Sequence, residues 1–321
     1  MSPTTENISS SRSLASAAAY ASTISLSTGT TIKFRKSLSA AVEHYDTFLI
    51  DQWGVLHDGR MPYPGTVHCL HRLLGAGKQV ILISNSGKRT IPNETRLREI
   101  GFPRESYSHL VTSGEIAWQM LARGQGPFSK LAGDQAAQRC LLLTSDDPAE
   151  FAEGLPIWLA DAEAADFILL AGIDDAKPQK YYEQMMATGL KRGIPLICAN
   201  PDLMRITAQG LKPGAGALAD RYQASGGKVS YIGKPYPEIY RHCLMLAATG
   251  AAGRALAIGD SLHHDIEGGR AAGIDTLLVM GGVHADVLPD NADQATLNAA
   301  IIGIAGRDGA LPDWAIPSFK W

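Results

Sequence analysis

The sequence predicts an α/β protein: a parallel sheet covered by helices on both faces, interrupted by a second, inserted α/β unit. Three observations carry this prediction. Short apolar runs alternate with helical segments from about residue 46 onward. The middle of the chain, roughly 124–229, repeats that alternation with strands of its own. Polar residues suited to phosphate chemistry stand at strand ends on both sides of that middle. Short apolar strands separated by helices imply a parallel sheet buried on both faces.

The opening residues, to about position 36, differ from the rest. Ser, Thr and Ala dominate, Glu6 is the only acid, and Arg12, Lys33, Arg35 and Lys36 are basic. Residues 1–37 are therefore read as an N-terminal extension, either a disordered tail or an organelle-targeting transit peptide. No continuous apolar core of a secretory signal is present. Strands are expected at Thr47–Ile50, Gln79–Ser84 and His109–Thr112. Gly75, Gly77 and Gly101 stop the intervening helices. The pattern resumes near Val229–Ile232, Ala255–Ile258 and Thr276–Val279. The middle segment has expected strands at Cys140–Thr144, Phe167–Ala171 and Pro195–Cys198, and a helix over Lys177–Lys191. Gly124-Gln125-Gly126-Pro127 and Gly226-Gly227 read as hinge flanks. The expected organisation is thus a core of 38–123 plus 230–321, with 124–229 inserted as a cap. From about 283 the chain is weakly patterned and receives no chemistry.

Composition excludes several classes. Net charge is -3 and charged residues are 19%, without the basic face of a nucleic-acid binder. Hydrophobic residues are 45%, ordinary for a globular chain, and no apolar run approaches a membrane span. Cys69, Cys140, Cys198 and Cys243 are widely spaced, which suits free thiols in a reducing, cytoplasmic setting.

Asp51 ends the run Thr47-Phe48-Leu49-Ile50. A carboxylate there sits at the mouth of an open α/β sheet, where ligands bind. It can attack phosphorus and split hydrolysis into two steps. Mg²⁺, a hard cation with oxygen ligands, would screen the phosphate, and Asp260 after Ala255–Ile258 would be the second carboxylate on it. Ser84 and Asn85 follow Val80-Ile81-Leu82-Ile83 and can hold phosphoryl oxygens, or cap a helix. Lys234, between Gly233 and Pro235, would neutralise phosphate and orient Asp51. Asp265 opens the expected helix Ile266–Ala272 and could cap it, bind a metal-bound water or hold Lys234. His263 and His264 are adjacent, which is not metal-ligand spacing on a helix; they read as loop histidines beside the site. His68 and His71 read as structural.

These segments resemble the haloacid-dehalogenase (HAD) superfamily, and within it subfamily IIA, the group of pyridoxal and 4-nitrophenyl phosphatases. The matching runs are Phe48–Gly59 (FLIDQWGVLHDG), Ile81–Arg89 (ILISNSGKR), Gly233–Tyr240 (GKPYPEIY) and Ile258–Thr276 (IGDSLHHDIEGGRAAGIDT). Asn200-Pro201-Asp202 and Pro213-Gly214-Ala215-Gly216 resemble landmarks of that subfamily's cap. The resemblance spans about residues 44–285. It implies a Rossmann-like core with an α/β cap, and a Mg²⁺-dependent phosphatase acting on a small phosphorylated metabolite. It implies Asp51 as nucleophile and metal ligand, and the Trp53 backbone carbonyl and Asp260 as further ligands. Ser84 would bind phosphate, Lys234 would stabilise charge, and Asp265 would support the site. Asp202 and Arg205 lie in the cap loop that reaches toward substrate. A homodimer through the cap remains an open arrangement.

The chain departs from the family at one position. The family's phosphatases usually carry a second Asp two residues after the nucleophile, and here Trp53 stands there. General acid–base assistance is typically worth about 10²–10⁴-fold. His57 and Asp58 are close enough in sequence to substitute. Two alternatives therefore stay open: a catalytically weak phosphometabolite-binding or regulatory protein, and a hydrolase of C–P or C–X bonds.

Overall fold

The computed structural model of the chain describes residues 31–130, 138–207, 210–247, 253–288, 292–306 and 309–321. Its strands are β1 (Lys33–Phe34), β2 (Thr47–Asp51), β3 (Gln79–Ser84), β4 (His109–Thr112), β5 (Gln138–Leu143), β6 (Ile157–Leu159), β7 (Phe167–Leu170), β8 (Leu196–Cys198), β9 (Met204–Thr207), β10 (Gly210–Pro213), β11 (Val229–Tyr231), β12 (Ala255–Gly259), β13 (Asp275–Val279) and β14 (Trp314–Ile316).

Seven strands form one sheet in the order β1-β14-β13-β12-β2-β3-β4, and every pairing in it is parallel. The side-chain period of two divides its central strands between two cores. Phe48, Ile50, Val80, Leu82, Leu256 and Ile258 pack on one face. Leu49, Ile81, Ile83, Val111 and Ala257 pack on the other, and that second cluster continues into Phe167, Leu169 and Ile197 beyond the sheet. Every residue of β2 is buried, which is why the run is apolar without alternation. Truncating a fully buried residue such as Ile50 to Ala would cost about 2–5 kcal/mol.

From β2 the chain lays β3 and β4 to one side. It then returns to place β12, β13 and β14 on the other side. The strand order reverses between β2 and β12, which is the place where open α/β sheets bind ligands. A second parallel sheet, β11-β8-β7-β5-β6, and a hairpin of β9 with β10 come from the middle of the chain.

Several expectations need correction. Val229–Ile232 was expected to resume the outer pattern, but β11 pairs with β8 in the second sheet. Periodicity identifies a strand; it does not name its partner. Disorder was expected through residue 37, yet Lys33–Phe34 pairs with Trp314–Ala315 at the sheet edge. Residues 1–30 of that extension lie outside the described residues. The weakly patterned end of the chain supplies a helix, Gln294–Ala305, and the buried core strand β14. Asp293 caps that helix by accepting from the Thr296 N–H at 2.7 Å. The helix expected over Ile266–Ala272 begins earlier. A wide, π-type turn runs from Leu262 to Glu267, capped by Ser261, and passes into Gly268–Ala271. Asp265 therefore lies inside the helical segment and does not cap it.

All four cysteines are buried and free. Among the described residues no helix is long and apolar enough to cross a membrane.

Candidate active site

Asp51 ends β2 and Asp260 follows β12, so their carboxylates stand at adjacent strand ends across the reversal in strand order. Asp265 joins them from the π-type turn. Carboxylate oxygens of Asp51, Asp260 and Asp265 lie within 4.8 Å of one another. Lys234 reaches into the same space. Its Nζ lies 2.6 Å from Asp51 Oδ1 and 2.6 Å from Asp265 Oδ1, and the side chain is buried.

Asn85 holds the Lys234 backbone from both sides. Its Oδ1 accepts from the Lys234 N–H at 2.6 Å, and its Nδ2 donates to the Lys234 carbonyl at 3.0 Å. Gly233 makes this approach possible: it has φ 129, and a Cβ there would collide with Ser113 Oγ and Asn85 Oδ1. Gly54, with φ 80, brings the 53–54 peptide beneath Asp260, where a Cβ would strike Oδ2. That places the Trp53 carbonyl's own peptide against the second carboxylate.

Electrostatics set the character of the site. Burial pushes the Asp51 carboxyl well above the ordinary range; Asp265 and Asp260 add to this, against the pull of Lys234. Burial and Asp265 push Asp260 up to about 7, although the Val283 N–H donates to its Oδ2 at 2.7 Å. Burial opposes the Lys234 ammonium, but Asp265 and Asp51 outweigh it and hold that group well above its usual value. Three buried carboxylates face one ammonium, so the cluster carries excess negative charge when ionised. An all-oxygen donor set with uncompensated charge suits a hard divalent cation.

Ser84 closes β3 beside Asp51, and its Oγ accepts from the Ser86 N–H at 3.1 Å. Asp202 reaches in from the loop after β8 and accepts from Asn85 Nδ2 at 2.8 Å. The site therefore brings together Asp51, Ser84, Asn85, Asp202, Lys234, Asp260 and Asp265.

Other expected residues are occupied elsewhere. Arg205 forms a two-pronged pair with Asp175, at 2.9 and 2.8 Å. Asp58 is exposed and accepts the N–H groups of Met61 and Arg60 in its own turn, which lowers its pKa. His57 is buried, its Nδ1 accepts from the Gly59 N–H at 3.0 Å, and burial lowers its pKa to about 4. Neither is poised as a proton donor at neutral pH. Trp53 is 42% exposed, so it does not fill a buried gap between the two sheets as a core aromatic would. His263 pairs with Glu267 at 2.7 Å, and His264 faces Asp202 at 3.8 Å. His68 and His71 are exposed on helix Thr66–Gly75.

Sequence reasoning missed Ser113, whose hydroxyl lies 3.4 Å from Asn85 Oδ1, and the Val283 N–H on Asp260. Both follow expected strands, His109–Thr112 and Thr276–Val279. Reading every strand end, and not only those with charged residues, would have found them.

Known proteins resemble this chain in sequence and in fold. Residues 48–155 match a family described as haloacid dehalogenase-like hydrolase, and residues 231–300 match a second HAD-hydrolase-like model. The chain belongs to the haloacid dehalogenase-like hydrolases. It is 28% identical over 250 residues to D-glycerol 3-phosphate phosphatase of Mycobacterium tuberculosis, covering 77% of this chain. That alignment covers 66% of the relative, just under two thirds of its length. Bovine chronophin is 29% identical over 248 residues, 73% of this chain and 81% of that one. Ribonucleotide monophosphatase NagD of Escherichia coli is 27% identical, over 72% and 85%. A crystal structure of a haloacid dehalogenase-like hydrolase from Brucella suis superposes with a TM-score of 0.72 at 26% identity. It covers 89% of this chain and 99% of that one.

Proposed function

We propose that this chain is a Mg²⁺-dependent phosphatase acting on a small phosphorylated metabolite, with Asp51 as nucleophile. The observation that carries the reading is Lys234 Nζ at 2.6 Å from both Asp51 and Asp265 beside a third buried carboxylate. Similarity to phosphatases named for glycerol 3-phosphate and ribonucleotides supports the substrate class.

Asp51, Asp260 and the Trp53 carbonyl would hold the ion, with Asp265 behind them. Bound there, Mg²⁺ would neutralise the carboxylates and polarise the phosphoryl oxygens. A carboxylate oxygen of Asp51 attacks phosphorus, the bond from phosphorus to the ester oxygen breaks, and the alkoxide leaves. Lys234 holds Asp51 in line and offsets the charge on the transferring group. Ser84 donates its hydroxyl to a phosphoryl oxygen. Water then attacks the aspartyl-phosphate, releasing phosphate and returning the carboxylate. Trp53 can neither give nor take a proton, so the leaving oxygen is protonated by solvent. Esters with good leaving groups should therefore react fastest.

The test is hydrolysis of 4-nitrophenyl phosphate and of a panel of metabolite phosphates, with Mg²⁺ and with chelator. Metal-dependent turnover is expected. Undiminished activity in excess EDTA would remove the metal from the reading and favour C–X chemistry. Phosphate binding without turnover on any ester would favour a binding or regulatory protein, the reading that Trp53 motivates.

A further inference from the structure

Asp51, Ser84 and Asp260 stand at strand ends of the seven-stranded sheet, but Lys234 does not. It comes three residues after β11, which pairs with β8 in the second sheet. Three residues later the helix Pro237–Leu246 begins, and its Ile239 and Cys243 join the same buried cluster as Leu49 and Ile81. The ammonium that aligns Asp51 is thus carried by the segment crossing from cap to core. A tie to the core has to fix its place. Resting on the phosphatase reading above, we propose that Asn85 is that tie, a positioning residue that holds Lys234 in register with Asp51. We further assign the orienting of Asn85 to the cap residue Asp202, which acts without touching the substrate.

Asn85 is buried, and its whole amide is spent on protein partners. Its Oδ1 accepts from the Lys234 N–H at 2.6 Å and lies 3.4 Å from Ser113 Oγ. Its Nδ2 donates to the Lys234 carbonyl at 3.0 Å and to Asp202 Oδ1 at 2.8 Å. These partners fix which way the amide points, because a flipped amide would set its oxygen against a carbonyl and a carboxylate. With both Nδ2 protons used, the side chain has no donor left for a phosphoryl oxygen. It grips the Lys234 peptide at both N–H and C=O, as a neighbouring strand would. Asp202 sits in the loop after β8, and that loop is pinned to the start of the cap helix Ala215–Ala224. The Gly216 N–H donates to the Asp202 carbonyl at 3.0 Å. A Cβ on Gly214 would strike the Asp202 carbonyl, and one on Gly216 the Pro201 carbonyl. Asp202 therefore moves with the cap. Among the described residues Asn85 is the hydrogen-bond donor to its carboxylate, while His264 Nδ1 stands off at 3.8 Å. Removing Asp202 leaves Nδ2 with one acceptor, so the amide can swing and Lys234 can drift from Asp51.

Two measurements test this: kinetics on 4-nitrophenyl phosphate with Mg²⁺, and the amide spectrum of nitrogen-labelled protein. Asn85→Ala should lower kcat by about 10²-fold, the cost of misplacing reacting groups by about 1 Å. Asp202→Ala should lower kcat by about thirtyfold and change KM by less than about twofold. Asp202→Asn keeps an acceptor for Asn85 and should recover most of that loss. The double variant of Asn85→Ala with Asp202→Ala should be no slower than Asn85→Ala alone, because Asp202 acts only through Asn85. A side chain that contacts the substrate directly would instead raise KM in both Asp202 variants and multiply the loss in the double variant. That outcome overturns the proposal. The Lys234 amide proton reports the same geometry without turnover. A short hydrogen bond deshields it, so it should lie far downfield in the wild type, move upfield in Asp202→Ala and return in Asp202→Asn. If no ester is hydrolysed, the phosphatase reading fails and this proton still decides the positioning. A Lys234 amide that does not respond to Asp202→Ala overturns the proposal. Should Asn85→Ala fail to fold, the two Asp202 variants carry the test, since that side chain is 40% exposed.

Discussion

The molecule contains two parallel sheets whose C-terminal edges face one another, and the edges differ in kind. On the seven-stranded sheet, strand ends carry Asp51, Ser84 and Asp260, with Lys234 and Asp265 reaching between them. On the five-stranded sheet, the residues after β5, β7 and β8 are Thr144-Ser145-Asp146, Ala171-Gly172 and Ala199-Asn200. Those meet the core through close backbone approach and a few side-chain bonds. A Cβ on Gly87 would collide with the Ala171 carbonyl, and Asn85 donates to Asp202. The same architecture has thus been used once to concentrate charge and once to cover it. The covering edge needs close backbone approach and few ionisable groups, because each added charge would have to be desolvated there.

The sharpest way to break the comparison is one matched change on each edge. Asp51→Asn should lower hydrolysis by roughly 10³-fold or more, since an amide cannot form the aspartyl-phosphate. The variant should remain folded, and without metal be at least as stable as the wild type, because a crowded, buried charge has been removed. Asp202→Asn, on the facing edge, should change kcat by less than about tenfold, since the amide oxygen can still accept from Asn85. Initial rates with Mg²⁺ and melting temperatures of both variants check this. Comparable losses in the two would erase the distinction between the edges.

A second change tests whether the charged edge is incomplete. Trp53→Asp would supply a proton donor two residues after the nucleophile. It would also remove the exposed indole. Turnover of alkyl phosphates should rise by up to about 10²-fold. Rate plotted against leaving-group pKa should be steep in the wild type and flat in the variant. A flat wild-type plot would mean that another group already delivers the proton.

How far the difference between the edges could be read from sequence follows from where each kind of information sits. Asp51, Asp260 and Lys234 were legible because charged residues at the ends of apolar runs break the local pattern. Their placement depends only on strand position in a parallel sheet. The engagement of Arg205 was not legible, for the opposite reason. Its partner Asp175 is thirty residues away, and nothing local encodes that pairing. The assignment of Val229–Tyr231 to the outer pattern failed likewise, since three residues carry no signal of which sheet they join. β14 was missed because Trp314-Ala315-Ile316 is short and flanked by Pro312 and Pro317. Its burial comes from β13 and from Tyr45, whose hydroxyl accepts from Trp314 Nε1 at 2.9 Å.

Charge is also confined within the core edge itself. His57, in the loop after β2, is buried and held neutral at neutral pH. Its folded pKa of about 4 lies below the ordinary 6.5, so below pH 6.5 the unfolded chain binds the proton more readily. The stability this provides is fully present above pH 6.5 and is lost as pH falls toward 4. Between pH 7 and pH 5 the loss from this residue should be about 2 kcal/mol. His57→Gln keeps an acceptor for the Gly59 N–H and cannot be protonated. Urea midpoints at the two pH values should therefore fall less in the variant than in the wild type. An equal fall would place the acid sensitivity elsewhere.

The smallest expected effect concerns a side-chain ion pair that joins the facing edges at their rim, Lys88 with Asp146. Lys88 is 42% exposed, so solvent screens the pair and the ordering of a long side chain offsets much of the attraction. A double-mutant cycle of Lys88→Ala and Asp146→Ala should give a coupling below about 1 kcal/mol in urea stability, and less again in high salt. Gly87→Ala, one residue earlier, should cost more, about 1–3 kcal/mol, because the Ala171 carbonyl is backbone and cannot swing aside. If the ion pair proved the stronger contact, the second sheet would be held to the core by charge after all. Mutating its edge would then be expected to disturb the catalytic carboxylates through their shared field. If the glycine contact dominates, the cap edge can be recharged at Asp146 with little consequence for Asp51, and the division of labour between the two edges is a property of the packing itself.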